Sequence, residues 1–132
     1  MMFDQSEIAK RILKLAPDDI SLIVVFGSRA RGDHSSHSDL DIAIGTSLQN
    51  KEQRFKLRLQ VISLLEGPKQ PVDVVILEDS NWTLCHRIAR DGVVIFQKND
   101  DTWANFVEQV LIFYPDHRIF EQQFLKDTLG GN

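Results

Sequence analysis

The chain is organised around residues 21–44, which read SLIVVFGSRARGDHSSHSDLDIAI. The stretch opens at 21–26 with a short apolar, β-branched run that stops at Gly27, which is typical of a buried strand ending in a turn. It closes at 39–44, where acidic or small residues alternate with aliphatic ones, and this period of two indicates a strand with one apolar face. The residues between, 27–38, are too polar for a core. We therefore expect two strands joined by a polar turn.

Further elements are predicted on the C-terminal and N-terminal sides of this stretch. Apolar spacing and end signals predict helices over 4–16, 50–65, 80–92 and 101–114, and β-branched runs predict strands over 72–77 and 93–96. Asn50 and Ser80 are expected to cap the second and third helices. The second helix is expected to face the core with a stripe made of Phe55, Leu59, Ile62 and Leu65. Strands separated by helices indicate an α/β or α+β domain.

Composition limits the size, partners and location of the protein. Its 132 residues are the length of one domain, so 1–132 is expected to hold one core and one site. A formal net charge of −4 leaves no global positive field for a nucleic-acid backbone. Cys85 is the only cysteine, which excludes an intramolecular disulfide and favours a reducing compartment. With no signal-peptide pattern and no membrane-spanning apolar run, we expect a cytoplasmic protein without nucleic-acid or membrane partners.

Three aspartates form the candidate catalytic and metal-binding set. Asp39 and Asp41 lie two residues apart on a predicted strand, so both carboxylates project from one face. Like charges on a half-buried sheet need an opposite charge, and a hard divalent cation with oxygen ligands supplies it. Asp73 adds a third carboxylate if its strand pairs alongside. Three such groups are able to hold two metal ions that clamp the attacking and leaving oxygens of a phosphoryl displacement.

A candidate phosphate cradle follows the first strand. Gly27 permits close backbone approach, Ser28 offers a hydroxyl donor, and Arg29 and Arg31 offer charge-assisted hydrogen bonds to phosphate. Taken alone, the Gly-Ser pair is better explained as a helix cap, and the two arginines are equally well explained as solvated loop residues. In combination with the three aspartates, the cradle favours a metal–nucleotide site.

Two histidines in the same turn, His34 and His37, form an H-x-x-H pattern near the acidic pair. Their polar, Ser-rich surroundings favour solvated imidazoles over transition-metal ligands.

The spacing of these residues resembles a known signature. Gly27 and Ser28, ten intervening residues, then Asp39, Leu40 and Asp41 are similar to the G-S-x10-D-x-D motif of the polymerase-beta-like nucleotidyltransferases, which place a third carboxylate on a later strand, as at Asp73. The short chain most resembles the minimal nucleotidyltransferases that act as antitoxins to HEPN-domain ribonuclease toxins.

This resemblance implies a mixed β-sheet flanked by helices, two Mg²⁺ ions on the three aspartates, and an ATP triphosphate held by Gly27 and Ser28. The implied reaction transfers AMP from ATP to a tyrosine hydroxyl of the toxin, with Asp73 able to accept the proton, and the modified toxin loses RNA cleavage. Two alternatives stay open: transfer to a small-molecule hydroxyl such as that of an aminoglycoside, and a non-catalytic antitoxin that masks its toxin sterically.

The C-terminal residues, 101–132, are expected to form a helical segment that docks the partner. After Pro115 the tail still carries apolar residues, namely Ile119, Phe120, Phe124 and Leu125. An apolar segment that follows the last predicted strand is a candidate for an exposed docking patch.

Overall fold

A four-stranded sheet forms the centre of the computed structural model, which describes residues 4–27, 39–68 and 70–112. Its strands are β1 (Ile20–Phe26), β2 (Leu40–Thr46), β3 (Val72–Ile76) and β4 (Val93–Gln97). They lie in the order β3-β2-β1-β4. The β1 strand pairs antiparallel with β2 and β4, whereas β2 pairs parallel with β3. The sheet is therefore mixed, which confirms the predicted fold class.

Helices cover both faces of the sheet. Within the described ranges they are α1 (Gln5–Leu13), α2 (Lys51–Leu65), α3 (Trp82–Asp91) and α4, residues 102–112. None of the helices in those ranges is long and apolar enough to cross a membrane. Residues 113–132, which hold the tail predicted to dock a partner, lie outside the described residues, so that role stays a prediction.

The caps of two helices compare differently with the sequence. Asn50 caps α2 as predicted, because its Oδ1 accepts hydrogen bonds from the backbone N–H groups of Glu52 and Gln53. The cap of α3 is Asn81, one residue after the predicted Ser80, and its side chain accepts from the N–H of Leu84. Ser80 instead donates its hydroxyl to the carbonyl of Ile76. Two neighbouring capping residues offered alternatives that sequence alone did not separate.

Alternation along the strands divides the core into two apolar layers. One face of the sheet packs against α1 and α2, with Ile23, Ile42 and Val74 at its centre. The other packs against α3 and α4 and includes Val24, Ala43, Cys85 and Val110. Cys85 is thus a small core residue, as predicted. Since Ile42 and Val74 face α2, Asp41 and Asp73 project from the opposite face.

The apolar stripe predicted for α2 is wrong in two of its four members, because Leu65 is buried and Ile62 packs against the core, whereas Phe55 and Leu59 do not. The helix buries Leu57, Val61 and Leu65 against the sheet. Phe55 and Leu59 are 55% and 47% exposed, and we call these two residues the outer stripe. The α2 helix carries apolar residues at helical spacing on two faces, and a sheet on one side covers only one of them.

Candidate active site

The strand register brings two of the predicted aspartates together. In the parallel β2–β3 pair, Asp41 lies directly opposite Asp73. Neighbouring strands lie about 4.8 Å apart, and paired residues project from the same face of the sheet. The pairing that the sequence left conditional is therefore present. Asp39 comes two residues before Asp41, just ahead of β2, so strand alternation directs it to the same side.

Gly27 adjoins this pair because β1 runs antiparallel to β2. Phe26 lies opposite Asp41, and Gly27 follows with φ 77°, in the left-handed region that favours glycine. A Cβ atom added at Gly27 would overlap Oδ2 of Asp41. The backbone conformation and the close approach of the carboxylate thus both require glycine. The turn and the acidic pair form one site rather than two separate features.

The side chains have different access to solvent. Asp39 and Asp73 are exposed, whereas Asp41 is half-buried. The β3 strand lies at the edge of the sheet, so the Asp73 side of the site is the open side. Among the described residues, Asp73 is therefore the member of the pair that a bound molecule reaches without displacing the core.

A divalent cation is compatible with the donor chemistry of this site. Carboxylate oxygens are the ligands that Mg²⁺ prefers, and the backbone sets Asp41 beside Asp73 with Asp39 close in sequence. In the described ranges, however, no three His, Cys, Asp or Glu side chains are arranged as a formed metal site. Carboxylates repel one another without a cation between them. The residues fit the metal by type and backbone placement, and metal binding stays a prediction.

The rest of the predicted site falls on residues whose placement is not described. Ser28, Arg29 and Arg31 lie outside the described residues, as do His34 and His37. Their predicted roles as phosphate donors or solvated imidazoles therefore stay predictions. Gly27 is the predicted phosphate-cradle residue whose position is described, and it stands next to Asp41.

A second polar cluster, which the sequence analysis missed, lies at the other end of the β2–β3 pair. Glu78 Oε1 accepts hydrogen bonds from the backbone N–H and the hydroxyl of Thr46, at 3.0 and 3.5 Å. Burial raises the pKa of the Glu78 carboxyl. Beside it, Arg54 forms a 2.9 Å ion pair with Asp79, and this hydrogen bond lowers the pKa of Asp79. The sequence signal was the acidic pair directly after strand β3.

Comparisons with known proteins agree with this geometry. The family model described as "Polymerase beta, Nucleotidyltransferase" matches residues 7–101, which include all three aspartates and Gly27. The protein adenylyltransferase MntA of Aphanizomenon flos-aquae (strain 2012/KM1/D3) is 27% identical over 133 residues, covering 92% of this chain and 85% of that protein. Its namesake from Shewanella oneidensis is 28% identical over 128 residues, covering 92% and 87%.

Solved structures share the fold. A crystal structure of a toxin–antitoxin with AMP-PNP superposes with a TM-score of 0.75 at 22% identity, covering 94% of this chain and 98% of that one. The complex of a tri-AMPylated Shewanella oneidensis HEPN toxin with its MNT antitoxin gives 0.68 at 23% identity, covering 96% and 99%. Because the family model matches residues 7–101, which is most of this chain, the chain belongs to the polymerase beta nucleotidyltransferase family.

Proposed function

We propose that this protein is a Mg²⁺-dependent adenylyltransferase of the cytoplasm that transfers AMP from ATP to a tyrosine hydroxyl of a HEPN-domain ribonuclease toxin. It thereby acts as the antitoxin. The observation that carries the proposal is the register of Asp41 against Asp73 beside Gly27. Membership of the nucleotidyltransferase family supports the reaction type. The names of the relatives, both protein adenylyltransferases, support a protein acceptor, and the AMPylated HEPN toxin supports its class.

Each part of the site has a role in this reaction. Asp39, Asp41 and Asp73 would hold two Mg²⁺ ions, which supply positive charge to the reacting phosphate and its leaving oxygen. Gly27 permits the triphosphate to approach the backbone N–H groups after β1. The hydroxyl of Ser28 would donate to a phosphate oxygen, and Arg29 and Arg31 would add charge-assisted hydrogen bonds.

The transfer step balances without any further reactant. The tyrosine oxygen attacks the α-phosphorus of ATP and forms a new P–O bond. The bond from that phosphorus to the oxygen bridging to the β-phosphorus breaks, and pyrophosphate leaves. Asp73 accepts the tyrosine proton, a role that suits its exposure at the edge strand. Catalysis is then mainly positioning and electrostatic stabilisation.

The test is the intact mass of a purified HEPN-domain protein, taken from the neighbouring gene where that gene encodes one, after incubation with the chain, Mg²⁺ and each of the four NTPs in turn. We expect a gain of AMP with ATP, and no gain with an Asp39→Ala variant. Asp100→Ala, which removes an exposed carboxylate after β4, is the matched control and should transfer normally. A stable complex with no mass gain would support the steric antitoxin instead, and transfer by Asp39→Ala would refute the site assignment.

A further inference from the structure

We infer that the outer stripe of α2, with the groove beside it, binds an acidic amphipathic helix of the protein that receives AMP. The inference rests on the proposed function for the identity of that partner. It assigns a docking surface separate from the catalytic aspartates.

The outer stripe presents two large apolar side chains to solvent. Phe55 and Leu59 are four residues apart on α2, so they lie on one face of the helix. They are 55% and 47% exposed, although Leu57 and Val61 on the same helix are buried. Single exposed apolar residues are common on protein surfaces. Two large ones aligned on a helix that already has a complete buried face indicate a second contact surface.

A groove continues from this stripe. It has a volume of about 340 Å³ and lies between α2, the edge of β3 and the start of α3. Phe55, Val75 and Leu84 contribute apolar walls. A cleft of this size accommodates large apolar side chains of a docked helix. Stripe and groove together therefore form a continuous apolar surface.

The occupant is a helix rather than an added strand. An added strand would need the outward-facing carbonyls of β3. Arg58 Nε already donates to the carbonyl of Val74 at 2.6 Å, and Ser80 Oγ donates to that of Ile76 at 2.8 Å. With these edge carbonyls occupied by side chains of the same chain, strand addition would have to break both bonds. A helix that packs its apolar face on the stripe breaks neither.

Charge specifies the chemistry of the partner. The α2 helix carries Lys51, Arg54, Lys56 and Arg58 against Glu52, although the whole chain has a net charge of −4. Of the charged side chains that line the groove, Lys51 and Arg58 are cationic. The groove carboxylate, Asp79, is neutralised by its ion pair with Arg54. The surface is thus apolar with a positive rim, which complements a helix with acidic flanks.

A protein partner also fits this surface better than single-stranded RNA. The guanidinium of Arg54 donates to Asp79 and to the carbonyl of Leu48, and that of Arg58 donates to the carbonyl of Val74. These arginines therefore have fewer N–H groups to offer to phosphates, the groups that dominate nucleic-acid affinity.

The groove is close enough to the candidate active site to serve it. Val75 follows Asp73 by two residues on β3, a distance of about 7 Å along the strand. A helix held there would raise the local concentration of an acceptor tyrosine near Asp73. Loss of docking should therefore weaken acceptor binding and leave the chemical step intact.

The experiment uses the double variant Phe55→Ser/Leu59→Ser, and its probe is the HEPN-domain protein that serves as acceptor in the transfer assay. We expect the Kd of the complex, measured by calorimetry, and the KM for the HEPN protein to rise about 10- to 100-fold. The kcat at saturating HEPN protein and the KM for ATP should not change. Lys51→Glu should weaken the complex less and reduce its salt dependence. Leu15→Ser, at a leucine that is 37% exposed and does not line the groove, is the matched control.

Each outcome separates the docking surface from the proposed function. If the double variant binds the HEPN protein as tightly as wild type does, the docking surface is refuted and AMP transfer stands. If wild type binds but transfers no AMP, while the double variant loses binding, the proposed function fails and the surface stands. A wild-type chain that does not bind the HEPN protein refutes the inference, as does a stripe whose loss abolishes only self-association or the binding of a labelled single-stranded RNA.

Discussion

The two ends of the β2–β3 pair place carboxylates beside different kinds of neighbours. At the C-terminal end, Glu78 accepts two hydrogen bonds from Thr46, and Asp79 pairs with Arg54. At the N-terminal end, Asp41 lies in register with Asp73, so that one carboxylate-bearing residue faces another. Like charges opposite each other destabilise a strand pair.

This difference supports the catalytic role proposed for the N-terminal end. At the C-terminal end, the carboxylates of Glu78 and Asp79 stabilise the fold, because Thr46 and Arg54 bind them. A like-charged pair in register, beside a glycine that makes room for one of its members, is an arrangement that strand pairing by itself does not favour. Such an arrangement is explained by the proposed function, in which a cation and a phosphate would bind between these groups. Substitutions that remove a carboxylate charge at either end test this difference.

The largest effect is expected from Asp41→Ala. Losing a carboxylate of the proposed metal site removes several kcal/mol of transition-state stabilisation, so AMP transfer should fall about 10³-fold or more. The free energy of unfolding without Mg²⁺ should change little, because the loss of Asp41's own interactions is opposed by the loss of a like charge opposite Asp73. Rate assays and urea denaturation measure the two quantities. Transfer near the wild-type rate would remove Asp41 from the catalytic set.

Gly27→Ala should have the next largest effect, and on stability. A left-handed alanine costs about 1–2 kcal/mol, and displacing the Asp41 carboxylate costs about 1–3 kcal/mol more. The same substitution in an Asp41→Ala background should retain only the first cost, because the carboxylate it would overlap is gone. Equal costs in the two backgrounds, measured by urea denaturation, would mean that Gly27 is required by its backbone conformation alone.

Much of the site's framework was predictable because its signals are local. The fold class followed from strand and helix periodicity, and Gly27, Asp39 and Asp41 stand within one 15-residue stretch. Whether Asp73 joined them depended on how β3 paired, which spacing alone does not determine. The register that now places it opposite Asp41 is a property of the sheet as a whole.

The α2 stripe shows why other predictions from pattern were wrong. Periodicity groups Phe55 with Leu59 and Leu57 with Val61, yet it does not say which group meets the sheet. In the structure, Leu57 and Val61 are the two that are buried against the sheet. The Thr46–Glu78 contact joins residues 32 positions apart, so the acidic pair after β3 marks Glu78, but no local pattern identifies Thr46 as its partner.

The smallest effect is expected at the C-terminal end of the β2–β3 pair, from Glu78→Gln. Burial raises the pKa of Glu78 above its ordinary value of about 4.5, so the folded state holds this proton more tightly than the unfolded state. Wild-type stability should therefore fall as pH rises through 4.5 and level off above the folded pKa. Glutamine keeps an oxygen to accept from Thr46 and carries no charge, so the variant should lack this decline.

The measurement is the difference in free energy of unfolding between Glu78→Gln and wild type from pH 4 to 7. Asp79 has a lowered pKa and loses stability in the opposite direction, as pH falls, but it is common to both proteins and largely cancels. The difference should move in favour of the variant with rising pH, by less than about 1 kcal/mol, because Glu78 is still reached by solvent, which screens its charge, and because hydrogen bonding to Thr46 offsets part of the burial cost. A variant that becomes relatively less stable with rising pH would mean that Thr46 is held by the charge of Glu78. The C-terminal end of the β2–β3 pair would then also depend on an ionised carboxylate.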